Sequence, residues 1–234
     1  MSDGMPPQHD GTLAALQLGD SFFPSGMFTQ SHGLERFIEC GLRGEQALEP
    51  LLHSYLLDQA GPGDALAARW VVRAAAQGAF ALVAEIDARL FALKLAPEAR
   101  AASTRCGRQM LTLGAAISAC AELEGYAHRA AAGEHPGNQA VALALLSWAA
   151  GLDEEQAVAV ELHGFAVSLV SAAVRLGACD HIGAQRIVWR ARPIMEQARQ
   201  LGRTRHWREL GGFAPLIEQM QCQHGYAETH MFVS

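Results

Sequence analysis

Few side chains in this sequence stand where they could carry a reaction. The chain has a single lysine, Lys94, which follows Leu93 inside an amphipathic segment rather than closing a glycine-rich turn, so no phosphate-cradling P-loop is present. The same lysine cannot serve an S-x-x-K hydrolase because Phe91 stands three residues before it, and no G-x-S-x-G elbow occurs. Acid and imidazole pairs do occur: Glu49 with His53, Glu124 with His128, and Glu161 with His163. The first two have i, i+4 spacing, which makes a salt bridge on one helix face more readily than a catalytic dyad. His163 lies beside Phe165 in an apolar segment and reads as a core or interface histidine. Neither H-E-x-x-H nor E-x-x-H is present, which removes the di-iron chemistry that helical bundles often carry. Cys222, His224 and His230 offer metal-ligating atoms near the terminus, but their spacing fits no finger, so they suit at most a transient nickel or zinc contact.

The elements that must position these groups are helical. Half the residues are hydrophobic, and alanine and leucine dominate over valine, isoleucine and aromatics, which favours helices because those two side chains lose little entropy there. The expected class is all-α, a single compact bundle of roughly eight to ten helices. Residues 1–10 are read as a disordered N-terminus, 11–220 as the helical domain and 221–234 as a tail that orders on a partner.

Leu13, Leu16 and Leu18 begin a short helix ending at Gly19. A loop from Ser21 to Ser31 follows, marked by Pro24 and Gly26 yet carrying Phe22, Phe23, Met27 and Phe28, so it must either pack inside the bundle or meet a partner. A helix from about His32 to Glu39 is expected next, then one with Leu48, Leu51, Leu52, Tyr55 and Leu56, closed by Gly61-Pro62-Gly63 with Asp64 capping its successor. Leu82, Ile86, Leu90 and Leu93 mark another helix. Pro97 opens a long segment to about Ala132, with Met110, Leu113, Ile117 and Leu123 inward and with Gly107, Gly114 and Gly125 pointing to close packing or a bend. Asp153 with Gln156 predicts a capping box before a helix through Phe165 and Leu169 to Gly177. Pro193 should kink or split the segment from His181 to Gly202.

Charge and cysteine usage narrow the function class. A net charge of −6 argues against a nucleic-acid binder, although Arg186, Arg190, Arg192, Arg199, Arg203, Arg205 and Arg208 form a basic strip that could be either a solvated face or a polyanion site. Cys40, Cys106, Cys120, Cys179 and Cys222 are odd in number and unpaired in spacing, as expected of reduced thiols, and Met1 to Gly11 has no export pattern. Apolar runs are too short to span a bilayer. A cytoplasmic protein that binds other proteins is expected, with a cavity-based helical enzyme or small-ligand binder, using Glu161 and His163 or Glu124 and His128, as the alternative.

One stretch is more specific than composition. Leu16-Gln17-Leu18, Asp20-Ser21, Phe23-Pro24-Ser25-Gly26, Phe28, Ser31 and Gly33-Leu34-Glu35 resemble the N-terminal signature of the UreF family of urease accessory proteins. Leu169 to Leu176 with Gly183-Ala184-Gln185, then Ala214-Pro215, Met220, His224, Phe232 and Ser234, resemble its later segments in family order. His230 and Val233 depart from the family's basic residues near the terminus. The resemblance implies an all-α homodimer with no catalytic site and no cofactor. It also implies partners: UreD (also called UreH), the GTPase UreG and apo-urease, into which nickel is delivered. It assigns Glu35 and Arg175 to the GTPase-facing surface, with Ser31 and Gly33 flanking the first, and His224, Tyr226 and Phe232 to the partner-ordered tail. Without it, Glu35 reads as a local cap or ion pair and Arg175 as a cation at a helix C-terminus.

Overall fold

The start of the longest helix shows how local sequence sets this fold. The Asp153 carboxylate accepts the Gln156 amide N–H at 2.8 Å, and the Gln156 side chain accepts the Asp153 N–H at 3.0 Å, which is the expected capping box. The helix it opens, Glu154–Arg175, buries Val158, Leu162, Phe165 and Leu169 along one stripe. In this computed structural model, residues 11–24, 30–224 and 232 are described. The expected disordered segment 1–10 lies outside them.

The helices run in order as α1 Gly11–Gly19, α2 Leu34–Glu39, α3 Glu45–Ser54, a π-helix Tyr55–Ala65, α4 Leu66–Ala76, α5 Phe80–Leu93, α6 Pro97–Ile117, α7 Ala121–Ala131, α8 Gln139–Ala149, α9 Glu154–Arg175, α10 His181–Leu201 and α11 Pro215–His224. A 3-10 turn, Trp207–Glu209, precedes the last. The chain is all-α, with no strand among the described residues. Two apolar clusters make the core. One gathers α4 to α8, with Met110, Leu123, Tyr126 and Leu145; the other gathers α2, α3, the π-helix, α10 and α11 around Leu34, Tyr55 and Phe165. α9 gives its first turns to one cluster and the rest to the other. It is also the one helix among the described residues long and apolar enough to cross a membrane, and most of it is buried in this core.

Three expectations about helix ends are corrected. Gly61-Pro62-Gly63 does not close a helix: α3, the π-helix and α4 run on without a break. The wider π turn accommodates Pro62, which lacks an N–H, and leaves backbone carbonyls free. Gly211 donates to the Pro62 carbonyl at 3.1 Å, and Gly212 approaches the Asp58 carbonyl so closely that a Cβ there would lie 1.9 Å from it. Asp64 therefore caps nothing and turns inward to Lys94. The expected long segment from Pro97 breaks at Ser118–Cys120, where the Ser118 amide and hydroxyl both donate to the Gly114 carbonyl, at 2.9 and 2.7 Å, and the backbone at Ser118 turns extended. Pro193 does not split α10, because the Trp189 carbonyl it orphans accepts Arg192 Nε at 3.0 Å.

Gly107 and Gly114 sit where neighbours press close. A Cβ on Gly107 would stand 2.1 Å from the Gly137 carbonyl, so α6 can lie against the start of α8 only without a side chain there. Gly125 meets nothing. Ile117, expected inward, is exposed because α6 ends past the core it serves.

Candidate protein-binding surface

The turn before α2 is built around a backbone that few residues adopt. His32 has φ 55° and Gly33 φ 83°, both left-handed, and together they turn the chain sharply into α2. Four contacts hold His32 in that conformation. Its ring lies against Phe165 with centroids 4.6 Å apart, and its Nε2 is 3.4 Å from Ser168 Oγ. Its carbonyl accepts the Tyr55 hydroxyl at 2.5 Å and the Gln221 side-chain amide at 3.2 Å. Burial pushes the imidazole pKa down to about 4, so the ring is neutral at physiological pH. Gln221 belongs to α11. A Cβ on Gly33 would lie 2.9 Å from Gln221 Cγ, so the glycine is what lets the last helix seat here.

Three of the sequence-identified residues meet in this corner, and two more meet at the end of α9. Ser31 is fully buried, Gly33 lies under α11, and Glu35 is nearly buried in the first turn of α2. Arg175, in the last turn of α9, lays its guanidinium 4.3 Å over the Phe232 ring and donates Nε to the Ser171 carbonyl at 3.3 Å. Phe232 itself is buried. Two residues singled out at distant points of the sequence are thus in direct contact. Cys222 is half-buried in α11, which runs past the expected boundary at 220 to end at His224. Tyr226 and His230 lie outside the described residues, as do Met27 and Phe28. Among the described residues no three metal-ligating side chains converge. The loop after α1 divides: Phe23 is buried in the core while Phe22 is 93% exposed.

Beside this corner lies a cavity of about 120 Å³, whose lining includes Gln30, His32, Asp64, Lys94, Gln139 and Glu161. Lys94 bonds both Asp64 oxygens, at 2.7 and 3.0 Å, and Gln139 donates to Glu161 at 3.2 Å. Sequence reasoning missed Asp64 and Gln139; the one available signal was that the sole lysine needed a partner. The acid-base pairs of the enzyme alternative are not assembled. Glu161 faces the cavity while His163 lies on the exposed side of α9, and Glu124 and His128 are both at the surface. His163 is accordingly not a core histidine.

Glu161 has a pH consequence. Burial first, and the Asp64 charge second, raise its pKa to about 8. A carboxyl whose folded pKa is raised contributes stability that is complete below its unfolded value and is lost as pH rises through the folded one. Glu161→Gln should therefore match wild type in urea denaturation at pH 4 and exceed it at pH 9, by a few kcal/mol, on the order set by ~1.4 kcal/mol per pKa unit. A difference that stays constant between those pH values would refute this placement of the charge.

Four of the seven arginines of the strip are matched by acids from elsewhere. Arg186 and Arg190 pair with Glu45, and Arg199 and Arg203 with Glu155. A polyanion surface needs unmatched cations.

Comparison with known proteins places these features in a family. The family model described as UreF matches residues 42–192. The urease accessory protein UreF of Paenarthrobacter aurescens (strain TC1) is 30% identical over 223 residues, covering 95% of this chain and 97% of that protein. The protein of the same name from Trichodesmium erythraeum (strain IMS101) is 30% identical over 223 residues, covering 95% and 96%. Urease accessory protein UreF 2 of Brucella abortus (strain 2308) is 27% identical over 224 residues, covering 96% and 92%.

Proposed function

The chain belongs to the UreF family of urease accessory proteins, and from that premise we propose that it is a non-catalytic scaffold for urease maturation. With UreD (UreH) it recruits and regulates the GTPase UreG for nickel insertion into apo-urease; it acts in the cytoplasm as a homodimer, and nickel is the cargo. The observation that carries this reading is the contact of Arg175 with Phe232, taken with the separate seating of the last helix on the Gly33 turn. The contact of Phe232 with Arg175 couples whatever binds at Phe232 to whatever binds the end of α9. That suits an adaptor that must hold one partner before it admits another.

In this reading Ser31 and Gly33 act through shape, by fixing the turn that receives α11, and Arg175 acts through charge. A cation stacked on an aromatic ring keeps its free N–H groups oriented, and a fixed charge at an interface sets register and rejects wrong partners. Co-expression of the chain with UreD and UreG, followed by affinity capture, tests it. Wild type should retain both partners. Arg175→Glu and Glu35→Ala should reduce UreG recovery at least ~10-fold while UreD remains, as expected for loss of a charged contact worth more than ~1.4 kcal/mol. A chain lacking residues 221–234 should lose UreD. Failure of wild type to retain either soluble partner would refute the scaffold and return attention to the cavity as a small-molecule site.

A further inference from the structure

α10 buries Gly183, Ala184, Ile187, Ala191 and Ala198 against its neighbours. Its opposite face is unusual for a helix so rich in arginine. Ile182 is 52% exposed and Trp189, two turns on along the same face, is 67% exposed. A groove between them is walled by Gln185, Arg186, Arg190 and Glu45 of α3. Exposed tryptophan is costly to leave in water without purpose, and this one is held in place. The Arg192 guanidinium sits 3.4 Å over the indole ring, and Arg192 Nε bonds the Trp189 carbonyl that Pro193 leaves free. The pair is thus ordered before any partner arrives, and little side-chain entropy remains to be lost on binding.

The charges around the groove indicate what it fits. Arg186 and Arg190 reach Glu45, and Arg190 also reaches Glu49 at 3.6 Å, but the two arginines keep 63% and 46% of their side chains exposed, whereas the two glutamates keep only 28% and 22%. Arg192 meets no carboxylate within ion-pair distance among the described residues. The outward rim is therefore cationic around an apolar floor. A second copy of this chain fits poorly: an antiparallel two-fold pairing that set Ile182 against Trp189 would bring Arg186 towards its own copy near the axis.

We propose that the outward face of α10, with Ile182 and Trp189 as anchors and Arg186, Arg190 and Arg192 as rim, docks a helix of an assembly partner whose apolar ridge is flanked by acidic residues. The proposal rests on the scaffold reading but uses a face separate from Arg175 and the tail. Tryptophan and arginine are the residues that most often dominate interface energies, and the acidic flanks add steering and selectivity.

The test measures affinities of the full-length chain for purified UreD, UreG and apo-urease, singly and combined, for wild type, Trp189→Ala, Ile182→Glu and Ile182→Lys. An acid at position 182 falls in the first turn of α10, where the helix dipole favours it, so loss of binding cannot be traced to loss of the helix. Trp189→Ala and Ile182→Glu should each weaken one partner at least ~10-fold with unchanged unfolding midpoints, and Ile182→Lys should weaken it less than Ile182→Glu. Wild-type binding with all three variants equally tight overturns this inference and leaves the scaffold standing. Wild type binding no partner overturns both. A variant that changes only the oligomeric state of the chain assigns the face to a second copy and overturns the acidic partner.

Discussion

Asp87→Ala is expected to lower the unfolding free energy by about 4 kcal/mol, a large fraction of what holds a domain of this size. Asp87 is fully buried in α5. Its carboxylate accepts the Tyr126 hydroxyl at 2.7 Å, the Gly137 and Asn138 amides at 2.8 and 3.0 Å, and the Asn138 side-chain amide at 2.6 Å. A buried donor stripped of its acceptor costs ~1–3 kcal/mol, and truncation strips several at once, with relaxation and entering water returning part of the sum. The residues it holds are the last of a turn and the N-cap of α8, so a negative charge there also meets the positive end of that helix. Burial raises the Tyr126 phenol above its usual range, as does the neighbouring Asp87, so Tyr126 remains a donor. Tyr126→Phe, removing donor and bond together, should cost only about 1 kcal/mol. Equilibrium denaturation in urea compares the two. A loss below ~1 kcal/mol for Asp87→Ala would show that the carboxylate is not the hub its contacts describe.

Asp87 also marks where sequence reasoning stops. The periodicity of Leu82, Ile86 and Leu90 places α5 correctly, but an aspartate beside Ile86 carries no sign that it faces the core. Its partners come from a turn read only as a turn. Features written within a few residues were legible: the Asp153 and Gln156 capping box, the short apolar α1, and the close approach at Gly107. The π-helix was not, because Gly61-Pro62-Gly63 ends most helices and only the docking of Gly211 and Gly212 on its carbonyls makes continuation favourable. The contact of Arg175 with Phe232 was legible only as two separate likenesses to a family, since nothing local in either segment specifies the other. The cavity was invisible, because its walls come from α5, α8, α9 and the π-helix at once.

The same distance problem governs the arginine strip, and Glu155→Ala should expose it. Read along the chain, residues 186 to 208 are a cationic run. In the fold, Glu155 at the start of α9 accepts Arg69 Nη1 at 2.7 Å, Arg199 Nη1 at 2.6 Å and Arg203 Nε at 2.9 Å. Arg69 is the demanding member, with only 2% of its side chain exposed. Removing one partner of a buried ion pair costs ~3–5 kcal/mol because the other charge is left without compensation. Here Glu154 at 3.6 Å and the Arg199 carbonyl at 3.2 Å remain near Arg69, so a cost of about 3 kcal/mol at neutral pH is expected. The hydrogen bond from Arg69 is the main cause that lowers the Glu155 pKa to about 2. A depressed carboxylate contributes stability above its unfolded value, near 4.5, and loses it as pH falls towards the folded one. Wild type and Glu155→Ala should therefore differ most at pH 6 to 7 and draw together between pH 4.5 and 2, a convergence that unfolding midpoints across that range would reveal. Parallel curves would mean that Arg69 is satisfied by Glu154 and its backbone contacts alone. Convergence would mean that the Arg199 and Arg203 end of the strip is a structural seam joining α4, α9 and α10, its charge met inside the molecule, in contrast to the outward rim at Arg186, Arg190 and Arg192.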